Sequence, residues 1–181
     1  LPFVYVVSVS VTSEFALGKY GASLIPKEFT LSAYTFIFQN SYRVIHAFKS
    51  SIFMTGMGTF LGVLVTAGFA YPLSKKKLPF RTPIMMYVFF SMLFGGGLIP
   101  FFIVIQKMGL FTSYWAIILP VCYNTWNMIL MRNFFSAIPD SIEESALIDG
   151  ANEVLIFFKI ILPLSKPIIA TISLFLAAGF W

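Results

Sequence analysis

Charged residues are scarce in this chain. Of its 181 residues, only 10% are Asp, Glu, Lys or Arg, whereas 59% are hydrophobic; a soluble domain usually carries about 25% charged residues. So few charges cannot cover a water-facing surface, and the high aromatic content is opposite to the composition of disordered chains. The composition therefore excludes a soluble monomer and a disordered chain, and it predicts a surface that faces lipid.

Residue types that hold metals or perform nucleophilic catalysis are scarce as well. The chain has one cysteine, Cys122, and one histidine, His46, so an intrachain disulfide and a cysteine-based metal cluster are excluded. The sequence contains no recognisable nucleophile–base–acid set, and its one Gly-Lys pair, Gly18-Lys19, is not part of a phosphate-binding G-x-x-x-x-G-K-[ST] pattern. We therefore expect no catalytic residue, no metal site and no cofactor bound by this chain.

The formal net charge of +5 does not indicate nucleic-acid binding. The basic residues are few and lie between apolar runs, which is typical of juxtamembrane charges that fix orientation. We expect membrane lipid as a partner and no nucleic acid.

What the chain has instead is long apolar runs. A helix needs about 20 apolar residues to cross ~30 Å of hydrocarbon. Three runs meet or nearly meet this length between basic residues, and a run at each end of the chain is typical of a truncated span. The sequence therefore predicts an all-α integral membrane bundle with five spans in view: Leu1–Val11, Ser51–Leu73, Pro83–Ile105, Ser113–Met131 and Ser165–Trp181.

The loops predict an orientation. Ser74–Thr82 holds four basic residues in nine, a density that marks the cytoplasmic side. Alternation then places Thr12–Phe48 and Gln106–Thr112 outside and Arg132–Leu164 inside. Within the first outer loop, we expect a short interfacial helix over Thr30–Asn40.

Five of the seven acidic residues lie between Asp140 and Glu153. Ser141 to Glu144 is typical of a capping box, in which the Ser141 hydroxyl accepts from the amide of residue 144 and Glu144 reaches back. Gly150 permits the left-handed backbone that ends a helix, and Asn152 is expected to cap a second one. The segment at about 139–163 is thus predicted to be a cytoplasmic helix–turn–helix, whose second helix carries one apolar stripe: Val154, Phe157, Phe158 and Ile161.

Two interpretations of this helix–turn–helix stay open. It could lie on the membrane surface as an ordinary amphipathic loop, or it could dock another protein. Its polar side is acidic, whereas helices that bind anionic lipid favour Lys and Arg. Its small residues would also let a partner approach closely, so docking is favoured.

A fixed pattern runs through the same segment: Glu144-Ser145-Ala146, three residues, Gly150, nine residues, Ile160, one residue, Leu162-Pro163. This pattern resembles the EAA loop of ABC-importer permeases, E-A-A-x3-G-x9-I-x-L-P, with Ser145 as the one departure. Asp149, directly before the glycine, is typical of the sugar-importer branch. Most of the remaining chain is similar to permeases of the maltose-transporter type, and Phe94–Pro100 is most similar to the subgroup that serves alginate and aldouronate.

The resemblance implies the fold and the partners of such permeases. It implies a type I ABC importer transmembrane domain with six spans in the full protein, of which residues 1–181 are one domain that is partial at both ends. Such multi-pass subunits lie in the bacterial inner membrane and pair with a second homologous permease. They bind two cytoplasmic ATPase subunits, which carry the ATP and Mg, and receive a carbohydrate, here an oligosaccharide and in this subgroup an acidic one, from an extracytoplasmic binding protein.

The resemblance also implies roles for the motif residues. The turn and the face that contacts the ATPase would consist of Glu144, Ser145, Ala146, Asp149 and Gly150. The second helix would be anchored to the following span by Ile160, Leu162 and Pro163.

Candidates for the translocation path come from polar residues within a span. Tyr123, Asn124 and Asn127 lie close together in one apolar run, and sugars are often held by amides and aromatic faces. Hydrogen bonding between spans is an equal alternative. Two glycine patterns predict local structure: Gly95–Gly97 predicts either a bend or close packing, and Gly58 with Gly62 predicts helix packing.

Other functions remain open from the sequence alone. The chain could serve an importer of a non-sugar solute, because the EAA loop does not encode the cargo. It could also be a non-transporting channel or assembly protein. An integral-membrane enzyme is disfavoured because no span carries paired ionisable residues.

Overall fold

The computed structural model describes residues 2–39 and 41–181. These residues form helices and connecting turns without any β-strand, and the extended pairing among them is limited to one isolated bridge between Thr12 and Phe29. The all-α prediction is therefore confirmed. The chain divides into two compact units, Leu1–Ser50 and Ser51–Trp181.

The first unit contains three short helices, α1 (Pro2–Ser10), α2 (Glu14–Tyr20) and α3 (Ser32–Gln39). α1 occupies the predicted partial span at the start of the chain, where Leu1 lies outside the described residues. α3 occupies the predicted interfacial segment, where Asn40 also lies outside them.

The longest helix is α4, Ser41–Ser74. It begins ten residues before the span predicted from hydropathy. The first turns of α4 are too polar to be included in an apolar run, but they contain no proline or glycine that would end the helix. In the described part of the chain, α4 is the one unbroken helix that is long and apolar enough to cross a membrane.

The predicted span Pro83–Ile105 is not one continuous helix. It consists of α5 (Arg81–Leu93) and α6 (Leu98–Lys107), which are bent by 111° relative to each other. Gly97 has a φ of +82° in the break, a conformation that glycine adopts without the steric cost of a side chain. The glycine pattern therefore produces the bend, one of its two predicted outcomes.

The predicted span Ser113–Met131 is also broken, into α7 (Trp115–Val121) and α8 (Thr125–Ser136). Asn124 leaves the helical conformation, and its side-chain oxygen accepts a 3.1 Å hydrogen bond from the backbone N–H of Asn127. An asparagine in this position begins a new helix, which hydropathy does not register.

The last part of the chain holds five elements. These are α9 (Asp140–Ile148), α10 (Glu153–Ile156), a π-helical turn π1 (Phe157–Ile161), α11 (Leu162–Leu164) and α12 (Lys166–Phe180). The continuous segment Glu153–Leu164 is bent by 81° relative to α12. If each bent pair is one span, up to three spans fit by length and composition. The other two of the five predicted runs are Leu1–Val11, which contains the nine-residue α1, and Ser113–Met131, which is divided into α7 and α8.

The core of the second unit lies between α4, α8, π1 and α12. Gly58 and Gly62 of α4 are buried in it, and a Cβ at Gly62 would lie 2.8 Å from a methyl carbon of Leu176, while one at Gly58 would overlap the ring of Phe180. The predicted packing role of these two glycines is confirmed, and α12 is the helix that they admit.

Candidate functional site

The acidic segment begins differently from the prediction. Pro139 occupies the N-cap position without a side-chain hydrogen bond, and α9 starts at Asp140. Ser141 and Glu144 lie inside the helix, where the Ser145 hydroxyl donates a 2.8 Å hydrogen bond to the carbonyl of Ser141. The predicted capping box is therefore wrong: α9 begins at Asp140 after the extended backbone of Pro139, whereas a cap at Ser141 would require the helix to begin at residue 142.

The end of α9 agrees with the prediction. Gly150 has a φ of +83°, and its N–H donates to the carbonyl of Leu147 at 3.0 Å while the N–H of Ala151 donates to the carbonyl of Ala146 at 3.0 Å. This pair of bonds is a Schellman motif, which satisfies carbonyls that the helix end leaves free. A Cβ at Gly150 would meet no atom within 4 Å, so the backbone angle, not space, requires glycine here.

A second cap starts the next helix, as predicted. The side-chain oxygen of Asn152 accepts a 2.8 Å hydrogen bond from the N–H of Leu155. The two helices α9 and α10 are thus joined by four residues, 149–152, that are held by backbone and side-chain hydrogen bonds. We call residues 144–155 the acidic turn.

The acidic turn presents both charge and apolar surface. Glu144, Asp149 and Glu153 are exposed, and within the described ranges none of them forms an ion pair. Ile148 is 86% exposed between them. A surface that combines free carboxylates with an exposed isoleucine is suited to a protein partner with a basic and apolar face.

The motif residues do not all lie on this surface. Glu144, Ser145, Asp149, Gly150 and Pro163 are exposed, Ile160 and Leu162 are half-buried, and Ala146 is buried in the core of its own unit. The predicted contact face therefore divides into an outward part, which contains Glu144, and an inward part, which contains Ala146.

The apolar residues after the turn do not form one stripe, and that prediction is wrong. Phe157 and Ile161 are buried together with Ile156, whereas Val154 and Phe158 are exposed. The cause is π1, because a π-helical turn bonds i to i+5 and so shifts the register of side chains that a 3.6-residue period would align.

The inward side of α9 holds an ion pair that the sequence analysis missed. Lys75, directly after the end of α4, pairs with Glu143. The Lys75 ammonium also lies over the ring of Tyr71, 4.5 Å from its centroid. Sequence reasoning treated Lys75 only as an orientation charge; the available signal was that a basic turn and an acidic helix were predicted on the same side of the membrane.

The end of α4 is held by side chains from neighbouring helices. The carbonyl of Leu73 accepts hydrogen bonds from Nε of Arg81 at 3.0 Å and from Nε of Arg132 at 3.2 Å. The carbonyl of Ser74 accepts one from the Ser136 hydroxyl at 3.3 Å. These donors satisfy carbonyls that a helix end leaves free, and the two guanidinium groups suit its negative dipole end.

Aromatic contacts complete this arrangement. The ring of Tyr71 lies 5.0 Å from that of Phe157 in π1 and 6.2 Å from that of Phe135 in α8. Tyr71, Lys75 and Glu143, together with these two phenylalanines, thus connect α4 to α8, α9 and π1. We call these five residues the anchor.

The predicted path residues occupy different environments. The ring of Tyr123 is half-buried, 5.6 Å from that of Phe69. Asn124 is exposed and caps α8, and Asn127 is buried in the first turn of α8. The two asparagines are joined by the hydrogen bond from the backbone N–H of Asn127 to the side-chain oxygen of Asn124, which gives Asn124 a structural role as the cap of α8.

Among the residues that the structure describes, no three His, Cys, Asp or Glu side chains lie close enough together to hold a metal ion.

Among the known proteins that are similar to this chain, three are informative. It is 46% identical over 181 residues to the polygalacturonan/rhamnogalacturonan transport system permease protein YtcP of Bacillus subtilis (strain 168), which covers 100% of this chain and 63% of YtcP. It is 33% identical over 162 residues to the galactooligosaccharides transport system permease protein GanQ of the same strain, which covers 84% of this chain and 56% of GanQ.

The third is a crystal structure of a bacterial ABC transporter involved in the import of the acidic polysaccharide alginate. It matches with a TM-score of 0.82 at 34% identity over 99% of this chain and 64% of that chain. This chain thus spans 63% of the length of YtcP and 64% of the length of the alginate transporter chain. The fold class, an importer transmembrane domain, is confirmed.

Residues 58–181 match a family of membrane transport components. The matched range contains α9, the acidic turn and the anchor. The family resemblance inferred from the EAA pattern is confirmed: the chain belongs to the family of binding-protein-dependent transport system inner membrane components.

Proposed function

We propose that this chain is the membrane-spanning permease subunit of an ATP-driven importer that forms the path for a carbohydrate. The observation that carries the proposal is the acidic turn, which offers free carboxylates and an exposed isoleucine on one side and is fastened to the membrane helices on the other. A surface element fastened in this way can pass the motion of a partner to the helices.

The partner that fits the turn is a cytoplasmic ATPase. Glu144 and Asp149 are free to pair with basic residues, and Ile148 offers the apolar contact that a groove would bury. Two such ATPases would bind the ATP and Mg, and this chain would bind no cofactor. A second homologous permease and an extracytoplasmic binding protein complete the proposed assembly in the bacterial inner membrane.

The orientation follows from charge. The turn between α4 and α5 carries Lys75, Lys76 and Lys77, and Arg81 begins α5. Basic residues next to spans favour the cytoplasmic side, so this turn and α9, which the Lys75–Glu143 pair joins, would share that side with the ATPase.

The cargo class is proposed from the relatives. YtcP is named for polygalacturonan and rhamnogalacturonan, and the structural neighbour for alginate; all three polymers are acidic. We therefore propose an acidic oligosaccharide as cargo, with Tyr123, Asn124 and Asn127 as candidates for its path.

Reconstitution tests this function. The chain is purified with its co-expressed ATPase and second permease, placed in liposomes, and supplied with the binding protein and either an oligogalacturonate or a neutral maltooligosaccharide of equal length. We expect ATP-dependent uptake of the acidic sugar. Channel conductance without ATP, or purification as a homo-oligomer that lacks an ATPase, would contradict the proposal.

A shift in the melting temperature of the binding protein tests the cargo separately. We expect oligogalacturonates or alginate fragments to raise the melting temperature, because a ligand stabilises the folded state that binds it. A rise with neutral sugars alone would retain the importer but overturn the acidic cargo.

A further inference from the structure

Two neighbouring acidic residues of α9 lie in different surroundings. Glu144 is exposed and belongs to the outward surface, whereas the side chain of Glu143 is 15% exposed and pairs with Lys75, whose side chain is 28% exposed. Successive residues of a helix point about 100° apart, so one turn of α9 faces two ways. The motif carboxylate is not the one that holds the helix.

The geometry points to the Lys75–Glu143 pair as a positioning joint, which fixes where α9 lies against the end of α4 so that a displacement of the acidic turn moves α4. The transmission part of this inference rests on the function proposed above. The placement part concerns only contacts within this chain.

The base of the joint is fixed. Leu73 and Ser74 are almost fully buried, and their carbonyls accept bonds from Arg81, Arg132 and Ser136. The N–H of Lys75 donates to the carbonyl of Pro72 at 3.1 Å. The lysine side chain therefore extends from a helix end that three other side chains hold in place.

The other half of the joint lies on the buried face of α9. Ala146 is one turn from Glu143 and is 8% exposed, so residues i and i+3 of the helix face the bundle together. The small side chain of Ala146 lets α9 approach closely, and Glu143 supplies the one charge on α9 that is paired among the described residues.

The surroundings make the pair more than a surface contact. Exposed ion pairs contribute little, but this pair is mostly shielded from water and stacks on Tyr71. Removal of one partner would leave a shielded charge without compensation, which is costly. Lys76 and Lys77, the next two residues, are exposed and form no ion pair within the described ranges, so they offer matched controls.

The test uses four variants of the chain in the complete transporter: Glu143→Lys, Lys75→Glu, the double swap of both, and Lys76→Glu as the control with the same change of charge. Two quantities are measured. The first is amide hydrogen exchange over residues 140–148, which reports the placement of α9. The second is sugar imported per ATP hydrolysed, which reports transmission.

We expect each single reversal to speed exchange in α9 and to lower sugar imported per ATP by about fivefold or more. The swap should restore both quantities at least halfway, and Lys76→Glu should match the wild type in both. Recovery in the swap distinguishes a specific pair from a general need for either residue.

Three results would overturn the joint. These are unchanged exchange in both single reversals, no recovery in the swap, or uptake and ATP hydrolysis that fall in proportion so that their ratio stays constant. If the wild type shows no ATP-dependent uptake, the proposed function fails by itself, and the exchange measurement alone then decides whether the pair places α9.

Discussion

The end of α4 and the bend between α5 and α6 differ in how they are held. At the end of α4, side chains of Arg81, Arg132 and Ser136 bond to its last carbonyls. At the bend, residues 91–104 are all exposed, and a Cβ at Gly95 or Gly97 would meet no atom within 4 Å. The ring of Phe90 stacks on that of Phe94 there, with ring centroids 4.4 Å apart.

The end of α4 is thus held in place by contacts within this chain, whereas the bend between α5 and α6 has few such contacts. The anchored end has its polar groups satisfied from several helices, so its geometry is set within this chain. The 111° bend, by contrast, contains Gly97 with a φ of +82° and is flanked by exposed side chains. We expect changes at the anchored side to cost stability and equivalent changes at the bend to cost little.

The largest loss of stability is expected from a larger side chain at the close contact between α4 and α12. Gly62→Ile would place a branched side chain against Leu176 and near the carbonyl of Cys122, and such overpacking costs about 1–3 kcal/mol. Thermal unfolding of the purified protein in detergent measures it. The matched control is Gly68→Ile on the same helix, where no atom lies within 4 Å; equal melting temperatures for the two variants would contradict the packing.

A smaller loss is expected at Asn124, which also sharpens the question of the sugar path. Asn124→Ala removes the cap of α8 and should cost about 1 kcal/mol, whereas Asn124→Asp retains an acceptor and should keep most of the stability. Comparison of melting temperature with uptake separates the two roles. If Asn124→Asp is stable but loses uptake, the amide serves the sugar; if it retains both, Asn124 is a cap and not part of the path.

The smallest effect is expected at the bend. Gly95→Ala adds a methyl group in open space at a position without a positive φ, so the change in stability should stay within about 0.5 kcal/mol. The same melting assay applies. A drop as large as that of Gly62→Ile would show that the bend is packed as tightly as the contact between α4 and α12, and would contradict the difference between the two regions.

The features that were correctly predicted from the sequence include helix ends that are determined by neighbouring residues. Gly150 and Asn152 act on their own backbone neighbours, and both were placed correctly. The family and the packing of Gly58 and Gly62 were also predictable, because the EAA spacing and small-residue spacing are fixed by pattern alone.

The wrong predictions concern places where two sequence features favour different local structures. Hydropathy predicted an unbroken span over Ser113–Met131, where Asn124 interrupts the helix. The capping box predicted at Ser141 does not form, because α9 begins at Asp140 with Pro139 in the N-cap position. The stripe through Phe158 failed because π1 shifts the helical register, a feature without a simple sequence signal.

The Lys75–Glu143 pair could not be predicted from the sequence, for a different reason. Its two residues are 68 positions apart, and either could have paired with several neighbours of opposite charge. Only the placement of α9 against α4 selects them, and a sequence read by itself does not contain that placement.

The most direct test of the account is ATP hydrolysis by the reconstituted transporter, stimulated by the sugar-loaded binding protein, with Glu144→Lys compared with the wild type. We expect the stimulation of ATP hydrolysis to fall by about tenfold or more in Glu144→Lys, because a reversed charge opposes the docking of a basic partner. Membrane insertion should be retained. Gly150→Trp should act in the same direction. Wild-type stimulation in both variants would contradict the claim that the acidic turn couples this chain to an ATPase.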